Sequence, residues 1–156
     1  MVLNQPDEYQ KGKTIVYFVR HGDRIHIPNK KDIGLEEGGP GLSDLGKKQA
    51  KEVAKKFSRI KTEIDEMYSS DMNRAIETAE IIGKELNLKI KYSDLLVERR
   101  NPTEIIGHSG SEKEVRQIVD QIHKSYHDDD LRFSDEENFI DLKKRAKKLL
   151  AYTSRR

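Results

Sequence analysis

Three side chains stand where phosphate chemistry could be done. Arg20 and His21 close the run TIVYFVRHGDR, residues 14–24, and are followed by Gly22, while Arg74 ends the stretch SSDMNR, residues 69–74. An arginine fork can hold two oxygens of one phosphate, and charge-assisted bonds of that kind are about twice as strong as neutral ones. A neutral imidazole nitrogen is a nucleophile near neutral pH, because the reference pKa of histidine is about 6.5. Two arginines and a histidine meeting at one point would bind a phosphoryl group and attack it.

The elements that must position these groups follow from the apolar pattern. Residues 15–19 form a continuous apolar run of strand type, as expected for a strand covered on both faces. A loop at 25–41 contains the breaker cluster EEGGPG. Leu42, Leu45, Ala50, Val53, Ala54, Phe57 and Ile60 recur at helical spacing and predict a helix over 43–58, with Ser43 as its N-cap.

Residues 66–69 then read as a short strand. Asp71 is the expected N-cap of a second helix with a core face of Met72, Ala75, Ala79, Ile82 and Leu86 and a left-handed cap at Asn87. Another short strand follows at 89–92. Two more helices are announced by the capping boxes Ser111/Glu114 and Ser134/Glu137. In the last of them, Leu142, Ala146, Leu149 and Leu150 form the packing face. Strands alternating with helices predict an α/β fold, a three-layer arrangement with a mainly parallel sheet.

In such sheets ligands bind beyond the carboxyl ends of the strands, which is where Arg20, His21 and Gly22 stand. Arg74 falls in the first turn of its helix, beside backbone N–H groups that already favour an anion.

Composition narrows the classes further. The 156 residues are 37% charged but nearly balanced, with a net charge of +2. That is too small to imply nucleic acid or a membrane surface as a general partner. No apolar run approaches the roughly twenty residues that span a bilayer. Residues 1–13 read as a polar leader ahead of a single domain at 14–156. Cysteine is absent, which excludes disulfides and thiolate metal sites and fits a cytoplasmic protein. His123 and His127, spaced i,i+4 before three aspartates, lack the Glu of an HExxH pair and read as a solvated helix end.

VRHGD at 19–23, LSDLGKKQA at 42–50 and SSDMNRAIETA at 69–79, with LLVERR at 95–100, resemble the successive signatures of the histidine phosphatase superfamily, in its phosphoglycerate mutase-like branch. The resemblance runs from about residue 14 to the C-terminus. It implies that His21 is the nucleophile that becomes a phosphohistidine, and that Arg20 and Arg74 clamp the transferring oxygens. Gly22 would let the backbone approach the phosphate. Glu98 matches the proton donor, which must hold a proton for the departing alkoxide; partial burial would favour that state. Asn29 and Arg99 are candidate substrate contacts. No cofactor and no metal are implied, and the partner is a small phosphorylated substrate.

Two departures accompany the likeness. Asp23 and Arg24 follow the RHG motif where the family often has Glu or Gln, and the loop to Leu42 is longer. Family members also carry a second histidine in a VxHG-like motif at the end of a later strand. His108, in EIIGHSG, follows an apolar run too short for a buried strand and reads as a loop residue. The chain is therefore expected to stop before that last strand. It would then show impaired phosphatase activity and self-associate through an exposed sheet edge. The alternatives are a noncatalytic phosphate-binding or interaction module and a phosphoglycerate mutase-like phosphotransferase.

Overall fold

In a computed structural model the described residues are 14–26, 38–124, 128 and 131–153. Helix α1 (Asp44–Phe57) leads through a kinked 3-10 turn (Ser58–Glu63) into strand β1 (Met67–Ser69). Helix α2 (Asn73–Leu86) then carries the chain to strand β2 (Ile90–Tyr92). Two further 3-10 turns (Asp94–Leu96, Thr103–Ile105) precede helices α3 (Lys113–Lys124) and α4 (Phe139–Thr153). The architecture is α/β. β1 and β2 pair in parallel with Met67 opposite Ile90, a geometry that needs a crossover, and α2 supplies it.

The first two helices begin and end for local reasons. Ser43 is the α1 N-cap, its hydroxyl accepting the Gly46 N–H at 3.1 Å. Asn87 ends α2 in the left-handed region at φ 55°, as its position predicted. Asp71 is exposed and does not cap; the N-cap is Met72, without a side-chain bond. The core is built from Ala54 and Phe57 of α1 against Ile82 and Leu86 of α2, with Val53, Ile64, Met67 and Leu88 packed around them.

The expected first strand does not form. Residues 14–20 carry no ladder to β1 or β2, and Phe18 is 77% exposed. A buried strand needs a hydrogen-bonded neighbour and cover on its faces, and among the described residues this run has only a partial cover. Tyr17 lies edge-on to Phe57 with ring centroids 5.5 Å apart. The chain becomes firmly held only after the run, where Arg24 and Leu42 form an antiparallel bridge and Ile25 N–H bonds to the Gly41 carbonyl at 2.9 Å.

Both later capping boxes are replaced by other arrangements. Before α3, it is Glu112 whose carboxylate accepts the Ser109 N–H at 2.8 Å, the same spacing two residues earlier. Before α4, Glu136 is buried and takes the N–H groups of Phe133 and Ser134 at 2.7 and 2.9 Å. Asn138 then caps the helix by accepting the Asp141 N–H at 3.1 Å. Glu137 cannot reach back to Ser134 because Arg145 holds both of its carboxylate oxygens at 2.6 Å. The expected α4 packing face is half used: Leu142 and Leu149 are half-buried, and Ala146 and Leu150 are exposed.

The turn before α4 is sensitive to acid. The Thr103 hydroxyl and its N–H both donate to Asp135, and these bonds hold its carboxyl below the usual carboxylate range. The Arg132 guanidinium does the same to Asp141. A carboxyl depressed on folding adds stability above its unfolded pKa and loses it as pH falls through the folded value. Melting temperature is thus expected to drop below about pH 4, and Asp135→Asn to show a shallower drop; an identical acid limb in the variant would contradict this. His123 lies in the last turn of α3, while His127 lies outside the described residues.

Candidate active site

His21 is half-buried, and its Nδ1 lies 2.7 Å from the Gly22 carbonyl oxygen. A carbonyl can only accept, so Nδ1 carries a hydrogen, and in the neutral ring Nε2 is then the nitrogen with the lone pair. The ring is thus held in the tautomer that presents a nucleophile at Nε2.

The peptide after His21 is seated on α1. A Cβ at Gly22 would stand 2.5 Å from the Gly46 carbonyl oxygen, and one at Gly46 only 2.0 Å from the Asp23 carbonyl oxygen. The missing side chain of Gly22 thus serves contact with the helix. Asp23 is held on three sides. Its N–H donates to Gln49 Oε1 at 2.7 Å, its carbonyl accepts the Ser43 N–H at 2.9 Å, and its Oδ2 accepts the Ser43 hydroxyl at 2.5 Å. Ser43 therefore does more than cap α1.

A buried hydroxyl ties this tip to α2. The Gly22 N–H donates to Thr78 Oγ1 at 3.1 Å, and that hydroxyl donates to the Arg74 carbonyl at 2.7 Å. Arg74 itself is 8% exposed. Its Nη2 lies 2.5 Å from Glu98 Oε2 and 3.4 Å from Met72 Sδ. The loop at 38–42 is laid over the same helix end. Asn73 N–H donates to the Gly38 carbonyl at 2.8 Å, its side-chain amide to the Gly39 carbonyl at 2.7 Å, and Leu42 N–H to Glu77 Oε2 at 3.0 Å. Gly39, at φ 66°, sits so close that a Cβ would be 3.0 Å from Arg74 Nη1.

The structure thus ties the backbone after His21 to the Arg74 backbone through Thr78, and the Arg74 guanidinium to Glu98, around the start of α2. Glu98 is 72% exposed at its side chain, so the partial burial expected for a proton donor is not there. What it has is the Arg74 guanidinium. Arg20 is exposed and Arg99 half-buried, and Asn29 lies outside the described residues. His108 stands in the turn before α3, 3.0 Å from Glu112, as a loop residue. No group of three or more potential metal ligands occurs among the described residues.

Sequence reasoning missed Thr78, Glu77, Asn73 and Gly46. Thr78 left a signal: it is a polar residue four places after Arg74, on the face of α2 that carries Ala75, Ala79 and Ile82. A hydroxyl in that position must find partners once buried.

The arrangement can hold an anion against Arg74 while an imidazole nitrogen stays free to attack. Comparison with known proteins finds phosphatases and a phosphoglycerate mutase-like protein. Phosphoserine phosphatase 1 of Hydrogenobacter thermophilus is 38% identical over 80 residues, covering 51% of this chain and 36% of that protein. Phosphoglycerate mutase-like protein 4 of Arabidopsis thaliana is 39% identical over 68 residues, covering 44% of this chain and 28% of that protein. These matches span only about a third of the relatives' own length. Among solved structures, a mycobacterial glucosyl-3-phosphoglycerate phosphatase superposes with a TM-score of 0.64 at 20% identity, covering 85% of this chain and 59% of that one. Its complex with inorganic phosphate gives 0.61 at 21%, covering 85% and 58%. At such identity the likeness is one of fold. Residues 16–156 match the profile of the histidine phosphatase superfamily (branch 1), and the chain belongs to that superfamily.

Proposed function

We propose that this protein is a phosphomonoesterase that hydrolyses a small phosphorylated metabolite in the cytoplasm through a phosphohistidine on His21. The observation that carries this reading is the Nδ1 bond to the Gly22 carbonyl, which leaves the Nε2 lone pair for phosphorus. Nε2 attacks, a P–N bond forms and the P–O bond to the leaving group breaks. Glu98 gives its proton to the departing oxygen. Water then attacks phosphorus, Glu98 takes the water proton, and the P–N bond breaks to release inorganic phosphate and free His21. Arg74 and Arg20 neutralise the oxygens that move between the two groups.

Turnover by this chain is expected to be low. The run that carries Arg20 lacks ladder bonds, so that guanidinium is not preorganised, and Glu98 stands in solvent, where its proton transfer is not screened from water. Loss of one preorganised donor costs about 10² to 10³ in rate.

A second reading is a noncatalytic phosphate-binding module, favoured by the position of Glu98, a carboxylate already seated where Arg74 would take an anion. Incubation with p-nitrophenyl phosphate or O-phosphoserine, followed by alkaline quench and mass spectrometry, separates the two. Acid-labile, base-stable phosphate on His21 is the expected result. Binding of inorganic phosphate with an unmodified His21 at every time point would leave only the module.

A further inference from the structure

The segment that carries Glu98 is held from the far side by α4. Arg145 Nη1 donates to the carbonyls of Leu95 and Val97, at 3.0 and 2.5 Å. Its Nε and Nη2 bind the two oxygens of Glu137, each at 2.6 Å. Glu137 completes the hold: its N–H donates to the Arg100 carbonyl at 3.1 Å, and its Oε2 accepts the Arg100 N–H at 3.4 Å. The backbone on both sides of Glu98 is therefore pinned by one ion pair. The pair is well covered, its side chains 17% and 11% exposed.

Among the described residues of α4 none is fully buried; farther along the helix Tyr152 lies edge-on to Tyr68 at 5.8 Å. Glu98 projects from this pinned backbone to Arg74 and is otherwise in solvent. With so little packing on the side chain, the place of its carboxylate follows from where residues 95–100 are held. Proton delivery depends on that placement, since a misplacement of about 1 Å can cost on the order of 10²-fold.

We propose that Arg145 and Glu137 are positioning residues for Glu98, an inference that rests on reading Glu98 as the proton donor. Lysine keeps the charge of Arg145 but has one nitrogen, so it cannot hold both Glu137 oxygens and both carbonyls. The test exploits leaving groups. p-Nitrophenolate departs without a proton, whereas the alkoxide of O-phosphoserine needs one.

For Arg145→Lys, the ratio of kcat/KM for O-phosphoserine to that for p-nitrophenyl phosphate is expected to fall about 10- to 100-fold. Glu98→Gln should lower the same ratio, and the double variant should lower it no further. Glu137→Gln, which keeps shape and one oxygen, should fall between. An equal loss on both substrates, or none, would overturn the proposal.

If the wild-type chain hydrolyses neither substrate, the phosphatase reading fails and the clamp is judged separately by NMR. The Glu98 carboxyl-carbon resonance is expected to move between wild type and Arg145→Lys while resonances of the α1–α2 core stay in place. An unmoved Glu98 resonance in a folded variant would refute the clamp.

Discussion

His21→Ala is expected to remove phosphoryl transfer, lowering turnover of p-nitrophenyl phosphate by about 10³-fold or more. The loss would be in the chemical step. With the imidazole gone, the groups joined at the start of α2 are already committed: Arg74 and Glu98 to each other, and the buried Thr78 hydroxyl to the Gly22 N–H and the Arg74 carbonyl. Inorganic phosphate should still bind within a few-fold of wild type, because Arg74 and its hold on the Gly22 peptide through Thr78 are untouched. The melting temperature should fall by no more than about 2–4 °C, since the ring contributes one bond to an adjacent carbonyl, worth about 1 kcal/mol. Stopped assays, phosphate titration and a thermal melt on one preparation check all three. Retention of activity, with phosphate trapped on another residue, would move the nucleophile elsewhere.

Gly46→Ala should damage both stability and activity although it replaces glycine inside a helix. Ala is favoured over Gly there by about 1 kcal/mol on propensity. The new Cβ would meet the Asp23 carbonyl oxygen at 2.0 Å and its carbonyl carbon and nitrogen at 2.9 Å. These are backbone atoms, so relief requires moving the peptide that follows His21. Overpacking of this kind costs about 1–3 kcal/mol. A clash at 2.0 Å with backbone atoms takes the upper end of that range, about 3 kcal/mol, and less the propensity gain the net loss of about 2 kcal/mol would lower the melting temperature by about 4–8 °C in a chain of this size. The displaced Asp23 would loosen its bonds to Gln49 and Ser43, so turnover should fall as well. Gly110→Ala is the control: nothing lies within 4 Å of its Cβ, and its melt should match wild type. A neutral Gly46→Ala would mean the tip is not seated on α1 as described.

These two variants also mark which parts of the molecule were legible beforehand. His21 and Arg74 could be picked out because their chemistry is carried by residue type, and Arg74 also by its place in the first turn of α2. Gly46 could not, because nothing in the letters LSDLGKKQA says which backbone will lie against it. The same division separates the helices. Ser43 and Asn87 act on peptide groups a few residues away, so spacing alone predicts them. Ser111 and Ser134 offered equally good spacing, yet Glu112 captured one turn and Arg145 drew Glu137 from the other.

By itself the sequence determined the α/β order, the two inner helices with the Ser43 and Asn87 caps, and the strands β1 and β2. Each of these depends on periodicity or on contacts within one turn. Only the tertiary structure decided that residues 14–20 lie outside the sheet. It alone joined Gly22 to Arg74 through Thr78, and it alone pinned Glu98 in the open by an ion pair on α4. Those outcomes are set by partners distant in sequence, and a backbone group or a carboxylate takes whichever of several competing donors the fold brings within about 3 Å.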